Sequence, residues 1–460
     1  MSFDLPSLPA GWDYVPLDLC TQKNSITYGV VQPGAALKSG KPLIRVNNFR
    51  DRNLDLSDVM YIAPDVEAKY GRTRLLGGEV LITIVGSVGQ VVVAPSKLSG
   101  FNVARAVAVI HPLPHIESKW IAICLRSPLS QHLLGSRANT TVQTTINLKD
   151  LRALPIPIPP KDERRRISDF LCAIDDRIAL LRETNATLEA MAQALFKSWF
   201  VDFDPVHAKQ QGRAPEGMDA ATAALFPDSF EESELGMVPK GWTLRPFGQC
   251  LSHTIGGDWG SDVPDESNDT RVAIIRGTDI PDLQACSESR VPIRFTTQKK
   301  LKSRELKVGD IVIEVSGGSK EQPTGRSILI TEEILARFDC PVEPASFCRL
   351  FRPLQADFSY LLAQHLIFIY AQGKTWEYQN QSTGIANFQT THFLEAELVA
   401  VPTDDVLKKF FEIIGPMVQQ INSPQIGQLA NLRDTLLPRL ISGQLRLPEA
   451  EALAEQAMAS

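Results

Sequence analysis

Residues 162–200 read DERRRISDFLCAIDDRIALLRETNATLEAMAQALFKSWF, and this stretch decides the architecture. Ile167, Leu171, Ile174, Ile178, Leu181, Asn185, Leu188, Ala192, Leu195 and Trp199 follow one another at alternating steps of four and three. Such spacing lays them along one stripe of an α-helix, the heptad seam of a coiled coil. Asn185, the polar member, is the kind of residue that fixes register at some cost in stability. No glycine or proline falls between Ile167 and Trp199, and at 1.5 Å per residue the helix would extend about 58 Å. A second helical region is rougher. Val406, Phe410, Ile413, Met417 and Ile421 form one seam, continued by Leu429, Leu432, Leu436 and Leu440. Pro416 and Pro424 are expected to interrupt it, because proline removes a helix hydrogen bond and clashes with the preceding turn.

Outward from the helices, the chain repeats itself. Leu8-Pro9-Ala10-Gly11-Trp12 returns as Val238-Pro239-Lys240-Gly241-Trp242, at an offset of 230. Leu76-Gly77-Gly78-Glu79-Val80-Leu81-Ile82 returns as Leu306-Lys307-Val308-Gly309-Asp310-Ile311-Val312-Ile313, a glycine turn leading into a buried strand. Glycine turns follow at Gly86-Ser87-Val88-Gly89 and Gly317-Gly318-Ser319. Ala104-Arg105-Ala106 corresponds to Cys348-Arg349-Leu350, and Thr141-Val142-Gln143-Thr144-Thr145-Ile146 to Gly384-Ile385-Ala386-Asn387-Phe388. Each copy closes on a proline-marked apolar strand, Leu154 to Pro159 and Leu398 to Pro402, and a long helix follows. The order is globule, helix, globule, helix. The helices can pair only if the second doubles back on the first, which would put a globule at either end of a rod.

The 460 residues are 43% hydrophobic and 22% charged, which predicts a core-forming protein of two to four domains. No apolar run reaches the ~18 residues of a membrane helix, and the first residues lack the basic and apolar regions of a signal peptide. The seven cysteines are scattered without a C-x-x-C pair, which reads as reduced thiols in a cytoplasm. The net charge of −6 offers no global signature of a nucleic-acid binder. One stretch is nonetheless strongly basic: Arg290, Arg294, Lys299, Lys300, Lys302 and Arg304. It is either a solvated face or a phosphate-contacting element giving salt-sensitive affinity.

Catalytic motifs are near-misses. Pro159-Pro160 lacks the flanking residues of an adenine methyltransferase turn, where a flipped base is held. Gly34 to Pro42 imitates a phosphate loop with one residue too many and no Ser/Thr for magnesium. Pro64-Asp65-Val66-Glu67-Ala68-Lys69 has the letters of a nuclease site, but packed too closely, so a solvated turn is expected. The histidines show no ligand spacing, and no metal site is expected.

Three stretches carry a resemblance. Ile156 to Ile167 (IPIPPKDERRRI) resembles the entry to the central conserved helix of Type I restriction-modification specificity subunits. Leu195 to Val206 (LFKSWFVDFDPV) resembles that helix's exit, and Asn431 to Gly443 (NLRDTLLPRLISG) the distal helix end. The openings at Pro9 and Pro239 fit the starts of two target recognition domains. The resemblance implies an α/β fold: two α/β target recognition domains in tandem, separated by two long helices pairing as an antiparallel coiled coil. The expected boundaries are 1–160 for the first recognition domain, 161–203 for the central helix and 204–237 for a loop-rich connector. The second recognition domain would span 238–402, the distal helix 403–446 and a C-terminal tail 447–460. It implies a non-catalytic cytoplasmic protein that binds double-stranded DNA. It also implies docking to two modification (methyltransferase) subunits and to restriction (ATP-dependent translocase/nuclease) subunits. AdoMet, ATP and Mg would belong to those partners, with no cofactor on this chain. The competing reading is a stand-alone DNA-binding regulator or coiled-coil scaffold.

Sequence is read by polar side chains at base edges, so the candidate readers are polar residues in loops that follow strands. In the first globule they are Arg45, Asn47, Asn48, Ser87, Gln143, Thr144 and Thr145. In the second they are Arg276, Thr278, Ser316, Lys320, Gln379, Asn380, Gln381 and Thr383. Arg294, Lys299, Lys300 and Lys302 are candidate phosphate contacts. Trp199, Phe200, Leu436 and Leu437, near helix ends, are candidates for subunit docking.

Overall fold

The structure is a computed structural model describing residues 5–50, 52–137, 144–233, 236–286, 290–318, 322–382 and 385–459, the side chains of 381, 382, 385 and 457–459 aside. It falls into two units. One comprises Met1–Arg177 with Gln428–Ser460, the other Ile178–Gly427.

In the first unit, four antiparallel strands lie in the order Thr27–Tyr28, Val107–Ile110, Val80–Thr83, Val91–Val93. A second sheet places Lys41–Ile44 between Met60–Ile62 and Asn102–Val103, antiparallel to the former and parallel to the latter. Asp13–Pro16 pairs with Pro155–Ile158, drawing the two ends of the first globule together. The apolar run Val80-Leu81-Ile82 is buried throughout because it feeds two cores. Val80 and Ile82 face one around Trp120, and Leu81 faces another around Phe49 and Val103. Alternate side chains leave opposite faces of a strand, so a strand covered on both sides reads as continuous hydrophobicity.

The second unit repeats this plan. Its four-stranded sheet runs Leu251–Gly256, Cys348–Pro353, Ile311–Glu314, Ser327–Leu329. In its three-stranded sheet, Thr270–Ile275 lies between Ile293–Thr296 and Val342–Pro344, again parallel to the latter. Thr243–Pro246 pairs with Leu398–Val401. The repeat extends to single turns. Trp12 N donates to Pro9 O (3.1 Å) and Trp242 N to Pro239 O (2.9 Å), around Gly11 (φ 85°) and Gly241 (φ 81°), a backbone region that favours glycine.

The seam helix is Lys161–Phe200, and the distal region is two helices, Asp404–Asn422 and Gln425–Ile441. Within the first unit, Glu163 pairs with Arg446 (2.9 Å) and Asp175 with Arg433 (2.8 Å). Within the second, Asn185 Nδ2 donates to Ile421 O (3.1 Å) and Trp199 packs on Phe410 with centroids 5.8 Å apart. In both units one partner number rises as the other falls, so the pairing is antiparallel. The polar seam residue thus holds the facing helix by its backbone, at a defined register.

Four expectations are corrected. Pro416 lies inside Asp404–Asn422 without ending it, and the break comes only at Ser423-Pro424. The buried distal seam runs Val406, Leu407, Phe410, Ile414, Val418, Ile421, so Ile413 and Met417 sit beside it, only partly buried. The 204–237 connector is more structured than its composition suggests. It holds the helices Asp204–Gln210 and Ala220–Ala224, and Val206 and Phe226 are buried in the core of the second unit. Residues 447–459 form a helix, Leu447–Ala459, with Leu447, Ala450 and Ala454 buried, so they are not a free tail. Among the described residues, no helix is long and apolar enough to cross a membrane.

Candidate nucleic-acid interface

In the second unit, strand pairing gathers the loops that carry Thr278, Ser316, Asn380 and Asn387. Val315 N and Ser316 N both donate to Phe347 O (2.9 and 3.3 Å), and Phe388 N donates to Val315 O (2.8 Å). Ser316 Oγ donates to Asn387 Oδ1 (2.9 Å). Strands Gln379–Ser382 and Ile385–Phe388 pair antiparallel with Asn380 opposite Asn387. Ala386 and Phe388 point inward, so Asn387 points out, and Asn380 is exposed beside it. Beneath the loops lies the buried Glu314 carboxylate, accepting from Arg326 Nε (2.9 Å) and Nη2 (2.6 Å). Gly277 and Gly317 close onto it. A Cβ on either would come within 2.6 Å of Glu314 Oε1, so glycine is what lets both loops approach.

The hairpin is pinned from behind by Glu397, which is 1% exposed. Its carboxylate binds His365 Nε2 (2.8 Å), Tyr378 OH (2.6 Å) and Lys374 Nζ (2.7 Å). Burial alone would raise its pKa, but the bond and charge of His365, with Lys374 and Tyr378, outweigh that and hold it down at about 2. Tyr378 immediately precedes Gln379, so this network sets where the hairpin leaves the core.

The first unit makes the same arrangement with other residues. Ile84 N donates to Ala106 O (2.8 Å), Ile146 N to Ile84 O (2.9 Å) and Gly86 N to Thr144 O (3.0 Å). These bonds match Val315 to Phe347, Phe388 to Val315, and Gly317 to Ala386 in the other unit. Ser87 is exposed, with Thr144 and Thr145 half-buried beside it. At the register of Glu314 stands Thr83, whose hydroxyl donates to Ser87 O (2.5 Å) and accepts from Gln90 N (2.9 Å).

Several candidate readers have structural duties. Asn48 is 1% exposed, its amide donating to Asp55 O and Asp58 O and accepting from Arg45 N, so it is not available to a base. Arg45 and Asn47 share Asp58, and Asn47 remains exposed. Arg276 forms a bidentate pair with Asp279, which is 2% exposed. Gln379 Oε1 accepts from Thr324 N (3.1 Å) and Oγ1 (3.2 Å). Thr278 is exposed. Gln143, Lys320 and Thr383, and the Gln381 side chain, lie outside the described residues.

The helix end of the basic stretch, with Lys299, Lys300 and Lys302, is set apart from the readers, whereas the Arg290 carbonyl accepts from Arg276 (2.9 Å). Strand Ile293–Thr296 runs antiparallel to Thr270–Ile275, with Thr296 opposite Thr270. Arg276 therefore leaves one end of the pair while helix Gln298–Arg304 begins at the other. Acidic residues distant in sequence neutralise part of it. Arg294 pairs with Asp262 and covers the Trp259 ring at 4.3 Å, and Lys300 pairs with Asp258 (2.9 Å). Lys299 and Lys302 are exposed. Beside them Glu343 is fully buried, with no hydrogen-bond partner for either carboxylate oxygen among the described residues. Burial and the Asp258 charge raise its pKa to about 7, against the pull of Arg304 and Lys300.

The docking candidates are interior residues of this chain. Trp199 and Phe200 are 2% and 5% exposed and pack on Phe226, Trp242 and Phe410. Leu436 and Leu437 are 1% and 4% exposed in the core of the first unit. Their apolar surface is spent within the chain, which removes them as docking residues. The near-miss motifs resolve structurally too. Gly34 to Pro42 leads into strand Lys41–Ile44 rather than a helix. Glu67, expected in a solvated turn, is 1% exposed and holds Arg74 (2.6 and 2.8 Å) and Asn102 (3.0 Å).

Sequence reasoning passed over Asn387 as a reader and did not notice Phe347, 61% exposed beside Ser316. The break in apolar alternation at Asn387 was a usable signal. For Phe347 there was none, since it precedes the strand Cys348–Pro353 in sequence and nothing there marks it as exposed.

Comparison with known proteins agrees with this arrangement. Residues 31–190 match the family model described as a Type I restriction modification DNA specificity domain. The specificity subunit of the Type I restriction enzyme EcoBI from Escherichia coli is 32% identical over 198 residues, covering 41% of this chain and 42% of that one. That of MjaIX from Methanocaldococcus jannaschii is 23% identical, covering 81% of this chain and 78% of its own. That of HindI from Haemophilus influenzae is 28% identical, covering 67% and 72%. The solved Type I restriction-modification S subunit from M. genitalium shares the fold, with TM-score 0.52 and 14% identity over 95% of this chain and 98% of that one. Each unit carries its own loop-bearing sheets and its own part of the antiparallel helix pairing. Over the matched stretches the chain is similar to specificity subunits of Type I restriction enzymes.

Proposed function

We propose that this chain is the DNA-recognition subunit of a Type I restriction-modification complex, each unit reading its own half of a bipartite duplex target. The observation that supports this best is the repeated loop edge. Matching backbone hydrogen bonds hold Thr144 and Thr145, beside the turn of Ser87, in one unit and Ser316 and Asn387, with Asn380 paired opposite, in the other. One scaffold with different polar faces is what two unlike half-sites require. The chain is a non-catalytic cytoplasmic protein in this reading. Modification subunits, two of them, and restriction subunits carry AdoMet, ATP and Mg and supply the chemistry.

The test exchanges residues 236–402 for the matching segment of a relative with another specificity, followed by mapping of methylated sites in the host genome. One half of the recognised sequence is expected to change. A change in both halves, or in neither, rules the modular reading out.

A further inference from the structure

We propose that Phe347 is a specificity-determining residue that packs against the C5-methyl group of a thymine in the half-site read by the second unit. The inference rests on the DNA-recognition reading and names one of its contacts. Phe347 is 61% exposed although its backbone is held firmly, its carbonyl accepting from both Val315 N and Ser316 N. A large aromatic ring held in water loses apolar burial that an ordinary loop would recover by turning inward. Its neighbours across the hydrogen bonds are Ser316 and Asn387, and Asn380 lies opposite Asn387. The paired strands Gln379–Ser382 and Ile385–Phe388 form a two-stranded ribbon, an element the major groove of B-DNA admits. In that groove asparagine matches adenine N6 and N7, and the paired thymine offers its methyl group beside them. An exposed amide pair and an exposed ring on one edge therefore match the two halves of one A·T pair.

The first unit provides the contrast. The residue whose carbonyl bonds the matching strand there is Ala106, and the exposed side chain before it is Arg105, where the second unit has Ser346. The first half-site therefore has no aromatic partner at this place.

The test replaces thymidine by deoxyuridine, which removes only the methyl group, in duplexes carrying the mapped target. Binding is measured with the full chain assembled with its modification subunits. For the unaltered protein, deoxyuridine in the second half-site is expected to weaken binding about fivefold, the scale of one buried methyl group. Phe347→Ala should bind the thymidine duplex more weakly by a similar factor and show no further loss with deoxyuridine. Any effect of deoxyuridine in the first half-site should be the same in both proteins, which also shows the variant to be folded. If the losses from Phe347→Ala and deoxyuridine multiply, the ring does not touch that methyl group and the proposal fails. It fails equally if deoxyuridine has no effect on the unaltered protein, including the case where Phe347→Ala removes a DNA bend, the mark of a wedge between base steps. Absence of binding to any duplex would instead defeat the DNA-recognition reading itself.

Discussion

At the scale of single residues, Glu343 is where this structure departs most from ordinary practice. A carboxyl buried without a partner keeps its proton, because the charged form has lost water and gained nothing in return. Its pKa rises from 4.5 to about 7. Between those values the folded chain binds the proton and the unfolded chain has released it, so stability falls as pH rises through that window. Asp258, Lys300 and Arg304 are the charged groups that face it. Glutamine mimics the protonated form. Glu343→Gln should therefore raise the melting temperature at pH 8 by several degrees, on the order of 2–3 kcal/mol, and leave it unchanged at pH 4.5. Equal shifts at both pH values in thermal melts would mean that the carboxylate has a partner after all. The residue scale is also where the sequence was least legible. Asn47 and Asn48 are adjacent and chemically identical, yet one is exposed and the other is 1% exposed. What separates them is the carbonyls of Asp55 and Asp58, seven and ten residues away, closing on the second amide. No local pattern encodes that closure.

Among the elements, the helices and strands were legible because their signals are periodic and local. The seam from Ile167 to Trp199 lies in one helix, and the paired copies of strand and turn fall in corresponding sheets of the two units at matching register. The basic stretch was legible as composition but not as charge. Asp258 and Asp262, more than thirty residues upstream of their partners, reach Lys300 and Arg294 only once the sheet has formed. The helix Gln298–Arg304 thus offers Lys299 and Lys302 to solvent, while Lys300 is already paired. The six-residue strand Thr270–Ile275 places its ends only ~17–20 Å apart, so in the proposed reading these lysines stay within reach of backbone flanking the bases contacted at the other end. Replacing Lys299 and Lys302 by alanine should weaken binding to cognate and random duplex alike and flatten the salt dependence by about two units. Adding Lys300→Ala should change the slope less than either of the others. A slope unmoved by all three would make this helix a solvated face with no part in binding.

For the whole molecule, the informative feature is that the first unit is built from two separated pieces of chain, Met1–Arg177 and Gln428–Ser460. The later piece is not decoration. Leu436, Leu437, Leu440, Ile441, Leu445, Leu447 and Ala450 lie in the same core as Trp120 and Leu154. Arg433 and Asp434 complete a charge network with Arg52, Asp175 and Arg126, in which burial lowers the Arg126 pKa to about 10. Removing residues 428–460 should strip hydrogen-exchange protection from peptides within 1–177, since part of the apolar core and two members of this charge network, Arg433 and Asp434, go with them. Protection that survives the deletion would show that the first piece folds alone. If it does not, the order of synthesis matters. The ribosome makes the first piece, then 250 further residues, before the sequence that completes it emerges. At ~5–20 residues per second that is a wait on the order of 10–50 s with an open apolar face, long enough for chaperones to intervene or for aggregation to begin. A premature stop codon late in the message would then silence the module that was translated first.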